Sequence, residues 1–516
     1  MRMIQTHNVR VLGCLLAGGI ASVNADHDVD KTDAPVRGRI VSSQAAIQRN
    51  SGLKEDMGLR SAAPPATNSR IVVFDPSHPE QGVTNLTPGF ASAGRPDVSF
   101  DGGRILFVGK RAPADRFGVW EMATDGSARR EVIRFASDCL DAIYLSTIFT
   151  LDAEKPVYQI AFVARAPEDG FLSIFTCRMD GTGVRRITFA PGGASDPFLL
   201  SDGRIVFRMG MSKGGHAADQ GMAETSALFT VNTDGTDLFP FHRRINDEGA
   251  PNFRSPSPLS DGRLLTSYRT ADAESFGIFA LNPNADSPPV LILDDPLWDE
   301  MDPVALSARR EPAGRSSVID DRKETGQLYC LDANLSDEDP KSQPTRGSIH
   351  RVRVSRAKSV GKPPPADRSA SNRTGSASDR SGLFRRSRVA PALALGVLLD
   401  APSHAPAEEI AGQRESILGE FQVEADGSFS LLVPAKTPLR LETLDESGRV
   451  LREMRSWVWV MPGERRGCIG CHEDRELTPP NRHVLALRKL PQRMGGGAVE
   501  PEEPVDESGA AEYTDP

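Results

Sequence analysis

From about residue 70, apolar and polar residues alternate at period two in short runs, each stopped by Gly, Pro, Asn or Asp. The runs come in sets. "RPDVSFDGGRILFVGKR" is followed by "FGVWEMATDGSARREV", "SDPFLLSDGRIVFRMG" by "ALFTVNTDGTDLFPF", and "SPSPLSDGRLLTSYR" by "FGIFALNPNADSP". Each set offers a strand opened by Asp-Pro or Ser-Pro, an Asp-Gly turn, a second strand, and a third ending in another turn. The Gly supplies the left-handed residue that a tight hairpin needs. Asp202 and Asp261 hold equivalent places 59 residues apart. Repeats of roughly 40 to 60 residues, each with about four short strands, predict propeller blades. "SRIVVFDPSHPEQGVTNLTP" predicts half a blade, completed by strands from the far end. A worn copy, "MDPVALSARR" with "GQLYCLDANLSD", closes the series, for about six blades over residues 70–354. An open array of β-sandwiches is the alternative architecture.

The repeats resemble the TolB-like, WD40-related propellers of exported bacterial proteins, a likeness that implies fold and says little of function. Alternation returns later, in "ILGEFQVEADGSFSLLVPAKTPLRLETLDESGRVLREMRSWVWVMPGE". Its turns at Asp426-Gly427 and Ser447-Gly448 predict a small β-sandwich-like unit over residues 413–460, followed by a short helical segment over 461–495. Trp457 and Trp459 share one face of its last strand, either as core or as packing for a cofactor. The fold class is therefore mainly β.

Composition divides the chain further. Residues 355–412 are rich in Ser, Pro, Gly and Arg, and from Lys341 to Pro391 there are 13 Lys and Arg against two acids, so a basic, mobile linker is expected. Residues 496–516 form an acidic tail. Over all 516 residues, 61 Lys and Arg face 70 Asp and Glu, which makes no case for nucleic acid as partner. "MRMIQTHNVRVLGCLLAGGIASVNADHD" has a basic start, an apolar stretch too short to span a bilayer, and the small-residue site Val23-Asn24-Ala25. It predicts a signal peptide over residues 1–25, a variable segment over 26–69, and a periplasmic or otherwise exported protein without a membrane span. Cys14 as a lipid anchor is the lesser reading.

Export gives weight to "ERRGCIGCHEDRE". Cys468-Ile-Gly-Cys471-His472 meets the minimum geometry of a haem c anchor: two thiols for the porphyrin vinyls and an imidazole directly after them for the iron. Two rivals stay open. A zinc site would need a fourth ligand beyond Cys468, Cys471 and His472, such as His483 or Glu473, and a redox pair would expect a βαβ setting. If haem is bound, the sixth iron position could take His483, Met461 or Met494, or stay open to a small ligand. Of the other cysteines, Cys139 and Cys177 are a possible bridge, with Cys330 a buried thiol. His216, in the Gly-rich "MSKGGHAADQGM", has no partner acid or nucleophile that the sequence can place beside it.

The run from "LGEFQVEADGSFSLLVP" to "RRGCIGCHEDRELTPPNR", with the upstream "GQLYCLDANLSD" and "IHRVRV", resembles the haem-bearing region of the hydrazine synthase alpha subunit family. The resemblance implies a propeller followed by a haem-bearing middle domain, with Cys468 and Cys471 as attachment points and His472 as proximal ligand. Two departures weaken the implied chemistry. The family carries two c-type haems and this chain has one Cys-x-x-Cys-His, and "EDRELTPPNR" lacks the Tyr that follows the family's catalytic haem motif. The expectation is one covalent haem relaying electrons to a redox partner protein, with a haem enzyme acting on a small nitrogen or oxygen species, or a non-haem binding scaffold, as alternatives.

Overall fold

The computed structural model describes residues 36–47, 64–150, 153–210, 226–242, 253–270, 273, 275–283, 288–336, 343–357, 415–454, 456–471 and 483–494. The signal peptide, His216, most of the linker, His472 and the acidic tail lie outside them. Among the described residues there is no α-helix, and no helix is long and apolar enough to cross a membrane.

Five sheets of the repeated form follow one another. The first is built from Trp298–Ala305, Ile40–Ala46, Arg70–Phe74 and Thr84–Asn85; the second runs from Ser92–Val98 to Arg130–Ile133. The third runs from Cys139–Phe149 to Arg185–Arg186, the fourth from Ala194–Leu199 to Phe239–His242, and the fifth from Phe253–Pro258 to Val290–Leu293. Separate apolar clusters lie between the fifth and first sheets, the first and second, the second and third, and the third and fourth. This is the stacking of propeller blades.

Two features of the repeat explain themselves physically. At each Asp-Gly turn the carboxylate accepts the backbone N–H two residues on, as Asp202 does from Arg204 at 2.9 Å, while Gly203 takes φ +83°. The Pro steps lie in the innermost strands, where Arg95, Asp196, Ser255 and Asp302 precede Pro in the left-handed region at breaks of register. They are bulges, the place where a strand tolerates Pro.

The first sheet joins chain segments more than 250 residues apart. Gln44 Nε2 donates to Glu300 Oε1 at 2.9 Å, and Ser43 Oγ to Asp302 Oδ2 at 3.1 Å. Asp302 also accepts from Ser255 Oγ of the fifth sheet and faces Arg95 of the second. The half-blade expectation captured this joining, but the sheet begins before residue 70, because Ile40–Ala46 is its second strand.

Among the described residues the count is five where about six blades were expected. Thr325–Cys330, read from sequence as part of a worn blade, belongs to a second unit. There it pairs with Phe429–Pro434 and Arg465–Cys468, and Arg351–Ala357 pairs with Glu415–Gln422 and Leu439–Leu444. The two four-stranded sheets enclose a core that includes Leu328, Val352, Val354, Leu431, Val433 and Val460. The small sandwich thus draws strands from both sides of the linker, and the described residues of its haem segment form no α-helix, with one 3-10 turn at Leu485–Arg488.

Trp459 joins this unit to the propeller. Its ring is fully buried in the cluster between the third and fourth sheets, meets Phe189 edge-on at 5.9 Å between centroids, and donates from Nε1 to Gly235 O at 3.3 Å. Val458 and Val460, its sequence neighbours, point the other way into the sandwich core.

Two outcomes are expected. Trp459→Ala should cost about 3–5 kcal/mol of unfolding free energy, as for other fully buried large aromatics, read by chemical denaturation. Burial raises Glu300 from its ordinary range to about 8. Its folded-state pKa lies above the unfolded one, so its contribution is fully present below about pH 4.5 and lost as pH rises through 8. Stability measured between pH 5 and pH 9 should therefore fall in the native protein, and Glu300→Gln should flatten that part of the slope.

Candidate haem-attachment site

The motif lies at the edge of the second unit. Arg465–Cys468 runs parallel to Thr325–Cys330, with Gln327, Leu328, Tyr329 and Cys330 opposite Arg465, Arg466, Gly467 and Cys468. The ladder then continues past the strand: Leu331 N donates to Cys468 O at 2.9 Å, Asp332 N to Ile469 O at 3.2 Å, and Cys471 N to Leu335 O at 3.1 Å. Cys-Ile-Gly-Cys is thus a turn clamped by backbone bonds against residues 331–335.

Both glycines in this stretch are closely approached, Gly470 by backbone that leaves no room for a side chain and Gly467 by the end of a side chain. A Cβ on Gly470 would stand 2.4 Å from Leu335 O, and one on Gly467 would stand 2.5 Å from the Tyr329 ring. Tyr329 is the residue that sequence reasoning missed. "EDRELTPPNR", directly after the motif, holds no Tyr, yet strand pairing brings one beside it, and only the register could have revealed this.

Cys468 is half-buried and packs against the sandwich core, whereas Cys471 is exposed. Two thiols on one fixed turn, neither of them fully buried, fit the donor set of a covalently attached haem. His472 lies outside the described residues.

His483 is exposed, and the chain just after it is anchored: Leu485 N donates to Asp426 Oδ2 at 2.9 Å and Ala486 N to Ser428 Oγ at 3.0 Å. Ala333 N donates to Gly427 O at 2.7 Å in the same Asp-Gly turn. One turn therefore braces both the loop behind the cysteines and the segment that carries His483.

The thioethers proposed for the iron are engaged elsewhere. Met461 is fully buried with Trp459 in the propeller-side cluster, its methyl against Gly235, and Met494 packs on the sandwich core. Trp459 likewise serves the interface between units, packing in a protein core rather than on a cofactor.

Between that interface and the motif stand two buried charged side chains. Glu464 accepts from Asp237 N at 2.9 Å and Met461 N at 2.6 Å, and burial raises its pKa despite those bonds. Arg466 donates to Leu238 O, and its guanidinium covers the Phe239 ring at 4.6 Å.

Cys139 and Cys177 do not bridge. Each lies on a strand flanking Val157–Arg165, paired there to Ala164 and Ile160, so a whole strand separates them. Burial pushes both thiols up to about 12, which makes them inert.

Residues 347–473 match the family model described as the hydrazine synthase alpha subunit middle domain. Hydrazine synthase subunit alpha of Kuenenia stuttgartiensis is 22% identical over 533 residues, covering 78% of this chain and 62% of that protein. The chain therefore spans less than two thirds of that relative's length. The solved Kuenenia stuttgartiensis hydrazine synthase shares the fold at TM-score 0.67 and 19% identity, over 88% of this chain and 71% of that one. TolB from Acinetobacter baumannii, at 13% identity and TM-score 0.28 over 50% of this chain and 53% of its own, is too distant to carry an argument. With residues 347–473 matched to that middle domain and the fold shared with the solved hydrazine synthase, this chain is related to the hydrazine synthase alpha subunit.

Proposed function

We propose that this chain is an exported c-type haem protein that passes single electrons to a protein partner. In this reading Cys468 and Cys471 hold one haem by thioether bonds and His472 supplies the proximal ligand. The observation that carries it is the clamped turn Cys468–Cys471, which holds a half-buried and an exposed cysteine at the edge of a domain related to the hydrazine synthase alpha subunit. A bound haem c supplies a one-electron couple whose potential follows its axial ligands, burial and nearby charge. The chain's own residues supply the frame. Gly467 and Gly470 let the turn lie close to Tyr329 and Leu335, the backbone bonds to residues 331–335 fix the spacing of the thiols, and Trp459 holds this edge at a set place against the propeller. The propeller then serves as the surface on which the partner docks, and the N-terminal apolar stretch is the export signal.

A second reading, catalysis on a small nitrogen or oxygen species, is favoured by the engagement of Met461 and Met494 in packing. Of the side chains named from sequence for the sixth position, that leaves His483.

In a host equipped for export and haem attachment, the chain should give a haem-staining band on a denaturing gel and a Soret absorption. Replacing both Cys468 and Cys471 by Ser should abolish the covalent stain. Absence of the Soret band in the native chain would overturn the reading. A low-spin reduced spectrum that becomes carbon monoxide-binding in His483→Ala selects the relay, and a high-spin, carbon monoxide-binding spectrum in the native chain selects catalysis.

A further inference from the structure

Cys330 has a position unlike that of the other buried thiols. It is the last residue of its strand, and its register partner on the neighbouring parallel strand is Cys468, the first thiol of the motif. Directly paired residues on adjacent strands are about 4.8 Å apart, within the 4.4–6.8 Å span between Cα atoms that a disulfide bridges. Their side chains share a face, since Leu328 and Cys330 belong to the sandwich core and Cys468 packs against that same cluster. Cys471, three residues further on, is exposed and held by its backbone against Leu335.

We propose that Cys330 is a disulfide partner for Cys468 in the chain before haem is attached, so that the first thiol of the motif is guarded from inside the fold. The step is a two-electron oxidation. The thiols of Cys330 and Cys468 lose two protons and two electrons to a disulfide oxidant, one S–S bond forms, and the oxidant's disulfide is reduced to two thiols. The bridge is reversible without further oxidant. The Cys471 thiolate attacks the Cys468 sulfur, a Cys468–Cys471 bond forms as the Cys330–Cys468 bond breaks, and the displaced Cys330 sulfur takes up a proton. Bridging two directly paired residues draws their Cβ atoms closer than strand spacing sets them, which places the bond among the strained, readily reduced disulfides. Such a bond protects Cys468 from over-oxidation or mispairing, yet yields to the reductant that haem attachment requires.

The inference concerns the chain without haem, so it stands or falls apart from the haem reading. The test uses the full chain, made in a host without covalent haem attachment and equilibrated in an oxidised and reduced glutathione buffer. Remaining thiols are alkylated, and the chain is digested without reduction and analysed by mass spectrometry. The expected result is a linked peptide pair joining Cys330 to Cys468, lost on reduction, with Cys471 alkylated. In Cys471→Ser, a surface change, the Cys330–Cys468 pair should become the main oxidised form. In Cys330→Ser the link should move to Cys468–Cys471. The proposal is overturned if Cys471→Ser leaves Cys468 alkylated under oxidising conditions, or if the native chain yields only the Cys468–Cys471 link.

Discussion

The strand Thr325–Cys330 is the constraint on which the site depends. It leaves the propeller after the first sheet is completed and Arg315–Ser316 has added a strand to the third, and it forms the inner part of a sheet whose other strands lie about a hundred or more residues further along. Its alternate residues Leu328 and Cys330 face the sandwich core, and Gln327 and Tyr329 face outward. Its parallel pairing holds Arg465–Cys468, and the loop after it clamps Ile469 to Cys471. Parallel strands need a long connection, and here the whole linker and most of the second unit intervene. The motif is therefore placed by long-range pairing that no local preference of "GCIGCH" could specify.

Two kinds of interaction bind this unit to the propeller, and they do different work. Trp459 and Met461 remove large apolar surfaces from water, the term that grows with area and dominates such docking. Glu464 and Arg466 add direction rather than strength. Burying a carboxylate costs enough that its hydrogen bonds to Asp237 N and Met461 N do not restore its ordinary pKa. The bond to Asp237 N, which comes from the propeller, fixes register: it names one backbone atom in the turn after Asp234, so a slipped docking would leave a buried charge without that donor.

Much of the fold was legible because its signals are local. The Asp-Gly turns were found where the chain places them, since an Asp that accepts the amide two residues on and a Gly at positive φ are set within four residues. The return of a far strand to the N-terminal blade was also legible, as an incomplete repeat. The strand Ile40–Ala46 was not, since "IVSSQAA" lacks the Asp-Gly turn that marks its fellows. The departure of Thr325–Cys330 and Arg351–Ala357 from the propeller was legible only through the family resemblance of "GQLYCLDANLSD" and "IHRVRV", because a strand's alternation names its buried face and not its partner. In the site, the spacing of Cys468 and Cys471 was readable. The neighbours Tyr329 and Cys330 were not, for the same reason.

That difference between local and long-range information bears on how the motif is built. A Cys-x-x-Cys-His run in a loose segment would leave its thiols free to pair wrongly and its imidazole to wander. Here the cysteines bracket a corner at which a strand ends, so the first thiol points into a packed core and the second toward solvent. The corner needs glycine at 470 because Leu335 O occupies the place of a side chain, and glycine at 467 lets the Tyr329 ring lie against the strand. These contacts order the two thiols before any ligand arrives, and ordering beforehand is what lowers the entropic cost of binding. The cost of arrangement is met during folding, by a strand that reaches the motif from the far side of the linker.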